Sequence, residues 1–442
     1  MAKNGSIYWN PIMETMPREK LRELQVKKFK RVFEWAYKNS PFYKKLYKDA
    51  GMEPGDIKTL EDIKKVPKTD KGMLREVQNR PPFPYGDMLA VPLQDVTEFR
   101  QTSGTTGTPV YQADTWQDWE WWAESWAYIL YAQGYRDTDR MFLPFGYNIF
   151  VAFWACHYAA EKLGCEVVPG GVLDTEARIM KMQELKCTAF GATPTYVLGM
   201  ADTARKIGID PRSIGIQRIT CAGEPGASIT TTKQRIEEAW GAKVYDHIGA
   251  TEIGAWSYMC TAQKGLHINE AFFLVEIEDT ETGEIIEEPM KNGKMIITAF
   301  DRQAKPCIRF DSKDVIRWAD YECECGRTFR IIDGGVVGRA DDITKVKGVL
   351  LAPTAIEEVV RSFNELSDEY EVIVTKKGDI DDIMLKIEIK PGFEKQEADI
   401  LNRLKDQLRV KTNLGYKIEI HPYESLPRYA LKAKRFKDLR PH

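Results

Sequence analysis

The stretch "IQRITCAGEPGASITTTKQRIEEAWGAKVYDHIG", residues 216–249, holds two short apolar runs separated by a helical pattern. Each apolar run has the length of a buried strand, and "SITTTKQRIEEAW" between them has helical spacing. Strands that alternate with helices indicate βαβ units with parallel strands. The stretch therefore predicts an α/β fold whose functional residues lie in loops at the carboxyl ends of the strands.

The same alternation extends over much of the chain, from about residue 130 to residue 300. Further strand-like runs are "DRMFLPF" (139–145), "CEVVPGG" (165–171) and "CTAFGAT" (187–193), with a helical segment, "DTEARIMKMQEL", at 174–185. We expect a large N-terminal α/β domain with mainly parallel sheets flanked by helices.

The character of the chain changes near residue 340, in the Gly- and charge-rich passage "VGRADDITKVKGVLLAP" (337–353). Beyond it, the patterns predict a helix, two strands, a second helix and a strand, which suit a small α+β domain joined by a hinge. The predicted domains are residues 1–338 and residues 339–442.

Composition narrows the class of protein. The chain has 442 residues, of which 43% are hydrophobic and 29% charged, with a net charge of −3, an ordinary globular balance. This charge gives no indication of nucleic acid or an anionic membrane surface as a partner. The first residues lack an apolar signal region, and no run of 18 apolar residues occurs, so we expect a cytoplasmic protein.

The loop "FRQTSGTTGTP" (99–109) combines glycine backbone with several hydroxyls, a chemistry suited to a phosphate cradle. A P-loop would need a lysine after its last glycine, whereas Thr108 follows Gly107. Taken alone, the loop is more often an ordinary turn.

A possible metal site comes from Cys260-x₆-His267 together with Cys323-x-Cys325. Three thiolates and an imidazole suit a tetrahedral structural zinc, although the spacing is not that of a common zinc finger. The alternative is two loops with unpaired cysteines. Four cysteines in apolar runs are expected to be buried small hydrophobes: Cys156, Cys165, Cys187 and Cys221.

Two further features are expected to be structural. A tryptophan stripe at helical spacing indicates a helix packed on the core: Trp116, Trp119, Trp122 and Trp126. His157, in an apolar stretch, is expected to be packed rather than catalytic.

Several motifs occur in a fixed order along nearly the whole chain. They are "NSPFYKKLYKDAGMEPGDIKTLEDIKKVPKTDK" (39–71), "TSGTTGTP" (102–109), "GEP" (223–225), "GATE" (249–252), "RFDSKDV" (309–315), "GRADD" (338–342) and "LPRYALKAKR" (426–435). In these the chain resembles the adenylate-forming acyl-CoA synthetase superfamily, and most closely its phenylacetate–CoA ligase branch. Each motif is weak alone, but their shared order makes the resemblance specific.

The resemblance implies a two-step ligase that uses ATP, Mg²⁺ and coenzyme A. A carboxylic acid attacks the α-phosphate of ATP to give an acyl adenylate and pyrophosphate, and the thiol of coenzyme A then attacks the adenylate. Catalysis must therefore bring two anions together and neutralise the developing charge. A small C-terminal domain that rotates between the two steps is also implied, and a homodimer is plausible.

The resemblance also implies roles for individual residues. The ATP phosphates would lie on the loop formed by Thr102, Ser103, Gly104, Thr105, Thr106 and Gly107. One wall of the adenine slot would be Gly223, Glu224 and Pro225, with Ile248 and Gly249 beside it. Thr251 would contact the α-phosphate, Glu252 would hold Mg²⁺, and Asp314 would accept hydrogen bonds from the ribose. His247, next to the slot, would either line it or support it.

The C-terminal motifs carry the remaining implied roles. Lys432 would be the catalytic lysine, bridging the substrate carboxylate and the α-phosphate. Arg339 and Asp341 would lie at the hinge. Arg339 would also take part in ATP binding. Two positions depart from the family pattern: Ile248 replaces a stacking tyrosine, and Leu431 replaces the glycine before the lysine.

The predicted acyl pocket contains Tyr147, Phe150 and Phe153. Aromatic side chains favour offset or edge contacts with rings, so the pocket suits an aromatic carboxylic acid, of a phenylacetate, benzoate or larger aryl type. In the segment "GYNIFVAFW" (146–154), bulky residues stand where phenylacetate ligases tend to have small ones, so the size of the ring stays open.

Three alternatives remain at this point. An adenylating enzyme with a carrier-protein thiol or a redox cofactor as acceptor would ignore free coenzyme A. A nucleotide-hydrolysing switch would release inorganic phosphate without any acid, but the P-loop lysine is missing. A zinc-organised nucleic-acid-binding protein fits poorly with a net charge of −3.

Overall fold

The computed structural model describes residues 5–102, 108–340, 344–347, 349–377, 380–428 and 435–440. The helices are α1 Pro11–Glu14, α2 Arg18–Asn39, α3 Pro41–Asp49, α4 Leu60–Lys65, α5 Lys71–Val77, α6 Trp116–Ala132, α7 Ala152–Leu163, α8 Thr175–Glu184, α9 Pro194–Lys206, α10 Thr230–Trp240, α11 Pro353–Arg361 and α12 Glu397–Thr412. The strands are β1 Thr69–Asp70, β2 Glu98–Gln101, β3 Tyr111–Asp114, β4 Arg140–Leu143, β5 Glu166–Pro169, β6 Ala189–Ala192, β7 Arg218–Cys221, β8 Lys243–Ala250, β9 Gly254–Tyr258, β10 Leu266–Ile268, β11 Phe273–Glu278, β12 Gly293–Ala299, β13 Phe310–Ile316, β14 Ile331–Ile332, β15 Gly338–Arg339, β16 Thr344–Val346, β17 Val349–Leu351, β18 Leu366–Lys377, β19 Ile380–Ile389, β20 Lys417–His421 and β21 Phe436–Asp438.

The largest sheet has eight strands in the order β14-β10-β9-β8-β7-β6-β4-β5. Strands β4 to β8 are parallel, and α7, α8, α9 and α10 connect them in turn, which confirms the predicted α/β fold. Strand β6 is buried along its whole length, as expected of a strand covered on both faces. Strands β9, β10 and β14 extend the sheet in antiparallel fashion.

A second sheet in the order β1-β13-β12-β11 lies in the same part of the chain, with β15 paired to β13. The pairing places Arg339 opposite Asp314, two residues that the motifs assign to nucleotide binding or the hinge. Together the two sheets and their helices form what we call the body.

A separate hydrophobic core forms after residue 345, on the sheet β20-β19-β18-β21 and helices α11 and α12. We call this part the C-terminal unit. It contains the predicted helix–strand–strand–helix–strand order, plus three strands that were not predicted: β16 and β17, which form a short hairpin, and β21, which pairs with β18. The proposed boundary between residues 338 and 339 stays a prediction.

The tryptophan stripe lies on α6, where Trp119, Trp122 and Trp126 are buried as expected. Trp116 differs from the expectation: it is the first residue of the helix and is 55% exposed, although Asp118 and Trp119 in the same turn are buried. The four cysteines expected to be buried are buried. Within the described ranges, no helix is long and apolar enough to cross a membrane, and the cytoplasmic location stays a prediction.

Candidate active site and metal centre

Three of the segments with predicted functional residues lie at or after the ends of β4, β7 and β8, at the carboxyl edge of the parallel strands. In the sheet, β8 and β4 are three strand steps apart, which corresponds to about 14 Å at the usual spacing. The predicted acyl pocket after β4 and the "GATE" segment at the end of β8 therefore lie along the same carboxyl edge of the sheet, with β6 and β7 between them.

The "GEP" segment follows β7 and turns sharply. Gly223 has φ +92 and Gly226 has φ +155, conformations that favour glycine. The Glu224 carboxylate accepts a hydrogen bond of 2.8 Å from the backbone N–H of Thr195, in the first turn of α9. The positive end of that helix thus holds the acidic residue in place.

The "GATE" segment ends β8 and leads into a turn that packs tightly at its glycine. A Cβ on Gly249 would lie 2.9 Å from the carbonyl oxygen of Gly254 and 3.0 Å from Nε2 of His247, so only glycine fits. His247 is buried behind this glycine, and its Nδ1 lies 2.9 Å from the carbonyl oxygen of Ser257. Burial lowers the pKa of His247 to about 4, so the ring is neutral at pH 7 and supports the turn from behind.

Glu252 lies in the same turn and is 7% exposed. Its Oε1 is 2.7 Å from Nζ of Lys71, at the start of α5. A carboxylate that already attracts a cation is suited to hold a metal ion, since Mg²⁺ prefers charged oxygen ligands. Sequence reasoning missed Lys71, which ends the N-terminal motif at 39–71 but gives no local signal of its partner.

Beneath the turn lies a buried ion pair that the sequence also did not reveal. Arg302 and Asp114 have no exposed side-chain surface, and Arg302 donates to Asp114 Oδ1 from Nη2 at 2.8 Å. The same guanidinium donates to the backbone carbonyl of Glu252 at 2.9 Å. Burial raises the pKa of Asp114 to about 6, even though Arg302 lowers it. Burial also lowers the pKa of the neighbouring Lys305 to about 7.

Three predicted site segments lie wholly or partly outside the described residues. Thr102 is described: its hydroxyl accepts from the backbone N–H of Val110 at 3.0 Å, and this closes the base of the loop. Residues 103–107 of the loop, Asp341 and Lys432 are not described. Their roles stay predictions.

The Asp314 carboxylate, predicted to bind ribose, is 19% exposed. Arg339 Nη1 lies 3.5 Å from its Oδ1 and donates to the backbone carbonyl of Ser312 at 3.3 Å. Asp314 also receives support from the Ser312 hydroxyl, which accepts from its backbone N–H at 3.0 Å. Arg339 thus lies on the predicted ribose ligand, in the last strand before the C-terminal unit.

The three residues of the predicted acyl pocket are half-buried and lie around the start of α7. The Tyr147 ring meets Trp154 edge-on at 4.9 Å, and its hydroxyl lies 2.8 Å from Nδ1 of His157. Phe153 stacks on the buried Phe145. His157 is half-buried, with 20% of its side chain exposed, and its second ring nitrogen, Nε2, lies 3.1 Å from Oε1 of Glu161.

The four predicted metal ligands come together. The ligand atoms of Cys260, His267, Cys323 and Cys325 all lie within 4.8 Å of one another, and all four residues are buried. Cys260 Sγ is 3.6 Å from Cys323 Sγ, and Cys325 Sγ is 3.4 Å from His267 Nε2. A tetrahedron with Zn–S arms of about 2.3 Å has ligand separations of about 3.7 Å, so the set fits zinc.

Features around the cluster also suit a metal. Hydrogen bonds from Cys260 and Cys323, with the His267 imidazole, lower the pKa of Cys325 and favour its thiolate. Nδ1 of His267 faces the carbonyl oxygen of Phe329 at 3.3 Å, the kind of outer partner that fixes a metal-binding imidazole. The geometry brings the ligands together through the pairing of β10 with β14.

Known proteins are similar to this chain over nearly its whole length. The phenylacetate-coenzyme A ligase of Thermus thermophilus is 32% identical over 98% of this chain and 99% of its own length. The enzyme of the same name from Aromatoleum evansii is 32% identical over 97% of each chain. A family profile described as "AMP-binding enzyme C-terminal domain" matches residues 348–440.

Solved structures agree with these relatives. 2-Hydroxyisobutyryl-CoA ligase in the postadenylation state, in complex with 2-HIB-AMP, has a TM-score of 0.94 at 26% identity, over 99% of this chain and 94% of that chain. The same ligase in the thioesterification state, with 2-HIB-AMP and CoA, has a TM-score of 0.76 at 27% identity, over 100% and 94%. The chain belongs to the phenylacetate–CoA ligase family of adenylate-forming enzymes.

Proposed function

We propose that the chain joins an aromatic carboxylic acid to coenzyme A. Its family makes it an AMP-forming acid–CoA ligase, which uses ATP and passes through an acyl adenylate. What we propose beyond the family is the identity of the acid, the roles of single residues and the presence of zinc.

The observation that carries the aromatic acid is the ring cluster after β4. Tyr147, Phe153 and Trp154 are half-buried. The rings of Tyr147 and Trp154 contact each other, and the ring of Phe153 stacks on Phe145. A planar acid can join such a cluster by the same edge and offset contacts, each of which contributes about 0.5–1.5 kcal/mol beyond area burial. The Tyr147–His157 pair adds a polar group that suits a ring substituent able to hydrogen-bond.

The turn after β8 supports the proposed phosphate and metal chemistry. Glu252 would hold Mg²⁺, which neutralises charge on the phosphates when it is bound. The ammonium group of Lys71 contacts the same carboxylate and would balance the negative charge of Glu252 before Mg²⁺ binds. Thr251, in the same turn, would contact the α-phosphate where negative charge develops.

The C-terminal lysine supplies the other half of the proposed chemistry. The carboxylate oxygen of the acid forms a bond to the α-phosphorus, and pyrophosphate leaves with the bond electrons. Lys432 would neutralise the two anions as they approach. The sulfur of coenzyme A then attacks the acyl carbon, and AMP leaves.

The test is acid-dependent pyrophosphate release across a panel of acids, with and without coenzyme A. The panel contains benzoate, phenylacetate, larger aryl acids, and 2-hydroxyisobutyrate as a small aliphatic acid. We expect aromatic acids to give the highest kcat/KM, coenzyme A to speed turnover, and Lys432→Ala to lower release by about 10²-fold or more. Lys434→Ala is the matched control, and collapse in that variant alone would reassign the catalytic lysine. A preference for the aliphatic acid would overturn the aromatic proposal.

We also propose that the cysteine–histidine cluster binds a structural zinc. Tyr8 donates to the carbonyl of Cys325 at 2.8 Å, so the N-terminal segment packs on the metal loop. Strand β10 pairs His267 with Tyr258 of β9, which in turn pairs with His247 of β8. A metal here would stiffen the sheet that leads to the "GATE" turn.

The zinc proposal is tested by metal analysis of the purified protein. We expect one zinc per chain, and its loss in Cys323→Ser. Cys307→Ser is the control, because Cys307 is buried but lies outside the cluster. Zinc retained in Cys323→Ser, or absent from the wild-type protein refolded with the ion, would contradict the assignment.

A further inference from the structure

Arg435 lies three residues beyond Lys432 in the sequence and is buried at the junction of the body and the C-terminal unit. Its Nη2 donates to Glu369 Oε2 at 2.8 Å, on β18 of the C-terminal unit. The same nitrogen donates to Thr195 Oγ1 at 3.3 Å, in the first turn of α9 in the body. One guanidinium therefore connects the segment that carries the lysine to both parts of the protein.

In the body, Thr195 contacts both the C-terminal unit and the predicted wall of the adenine slot. Its backbone N–H donates to Glu224, in the predicted wall of the adenine slot. Its hydroxyl accepts from Arg435 and, at 3.5 Å, from Nη2 of Arg361 on α11. Through this one residue, the C-terminal unit contacts the nucleotide-binding segment.

The rest of the junction is also charged and buried. Arg361 is 1% exposed and donates to Thr232 Oγ1 at 3.1 Å. Arg235 of α10 forms an ion pair with Asp368 of β18. Contacts between charged and hydroxyl groups are directional, so they fix one orientation, and water can replace them when the two parts separate.

The contacts of Arg435 belong to one particular arrangement of the body and the C-terminal unit. The arrangement of the two parts matches the postadenylation state of 2-hydroxyisobutyryl-CoA ligase better than its thioesterification state. The contact thus belongs to the arrangement associated with the adenylate.

We propose that Arg435 is a positioning residue for adenylate formation, and that its contact with Thr195 holds the C-terminal unit in the adenylate-forming orientation and opens before thioester formation. This inference rests on the proposed function, because it takes Lys432 as the residue of the first half-reaction. We call the contact the Thr195–Arg435 latch.

The test measures the two half-reactions separately in Thr195→Val. Valine keeps the shape of the side chain and the backbone N–H that holds Glu224, and removes only the hydroxyl. We expect acyl-adenylate formation to slow about tenfold, the effect of one hydrogen bond to a charged group. Thioester formation from supplied acyl adenylate and coenzyme A should stay within about twofold, since the latch is open in that step. Thr195→Ser should restore the first half-reaction.

Two further variants sharpen the result. Lys206→Met removes an exposed ion pair with Glu424 that also joins α9 to the C-terminal unit, and it should leave both half-reactions within about twofold. Arg435→Met combined with Thr195→Val should slow adenylation by clearly less than the product of the two single effects, because the Thr195–Arg435 contact is lost in both.

Equal slowing of both half-reactions in Thr195→Val would reveal a structural role and overturn the latch, as would unchanged adenylation. Additive effects of the two substitutions would overturn it as well. A wild-type protein that forms no acyl adenylate with any acid would overturn the proposed function and the latch together, so the two failures are distinguishable.

Discussion

The Arg302→Met substitution would remove the guanidinium that lies under the Thr251–Glu252 turn. Arg302 donates to Asp114 from Nε at 3.1 Å and from Nη2 at 2.8 Å, and to the Glu252 carbonyl from Nη1 at 2.9 Å. Methionine fills much of the space but leaves the Asp114 carboxylate buried without its partner. Removal of one member of a buried ion pair costs about 3–5 kcal/mol.

The cost should depend on pH, because Asp114 can take up a proton. Its pKa in the folded protein is about 6, raised by burial above the usual carboxyl value. A carboxyl with a raised folded-state pKa binds more protons folded than unfolded, so stability falls as pH rises until the pH passes that pKa. In the wild type this fall ends near pH 6, and in Arg302→Met it continues to higher pH, since the lost charge had lowered the pKa. Each further pH unit costs up to about 1.4 kcal/mol.

Urea unfolding followed by tryptophan fluorescence would measure this effect on the body alone, because all 11 tryptophans precede residue 339. We expect the loss of stability in Arg302→Met to be up to about 2.7 kcal/mol larger at pH 8 than at pH 6, at 1.4 kcal/mol per unit. Arg302→Met with Asp114→Asn is the control, and it should lose the part of the pH dependence that comes from Asp114. A loss below about 1 kcal/mol, or one equal at both pH values, would refute the reasoning.

Three other predictions concern the cysteine–histidine cluster and strand β8. Removal of zinc by a chelator should lower the temperature of the fluorescence-monitored transition, and returning zinc should restore it, whereas an unchanged transition would count against a structural metal. Asp246→Asn should become more stable relative to the wild type as the pH rises, by about 2–3 kcal/mol between pH 5 and pH 8. Burial raises the pKa of Asp246 to about 7, so ionisation of this carboxyl destabilises the wild-type fold. A difference in the free energy of unfolding that stays constant with pH in urea titrations would contradict this. Gly249→Ala should slow adenylation at least tenfold and lower the free energy of unfolding by about 1–3 kcal/mol, because the new methyl group would clash with His247 and Gly254. Near-normal pyrophosphate release in this variant would contradict the close packing.

The alternation of strands and helices from β4 to β8 was predictable because each of these strands has a local signal. Buried parallel strands such as β6 are short apolar runs, and the helices between them have polar and apolar spacing. The "GEP" and "GATE" segments could also be placed, since parallel strands share one carboxyl edge, whereas the loop at 102–109 joins the antiparallel strands β2 and β3. The four proposed metal ligands could be selected by residue type, although only the pairing of β10 with β14 brings them together.

The side-chain pairs beneath and beside the site could not be predicted. Arg302 and Asp114 are 188 residues apart, and Lys71 meets Glu252 from the N-terminal motif. A charged residue in a sequence resembles a solvated one, and only tertiary packing decides which charges become buried partners. The same holds for Arg435, which lies in a basic tail and yet is buried at the junction.

The most direct test of the acyl-adenylate mechanism is the fate of oxygen from the acid. The protein would be incubated with ATP, Mg²⁺, coenzyme A and an aromatic acid labelled with ¹⁸O in its carboxylate, and the products analysed by mass spectrometry. If the carboxylate attacks the α-phosphate, one labelled oxygen is transferred to AMP for each thioester formed. Label in pyrophosphate or inorganic phosphate, or unlabelled AMP alongside the thioester, would contradict the account.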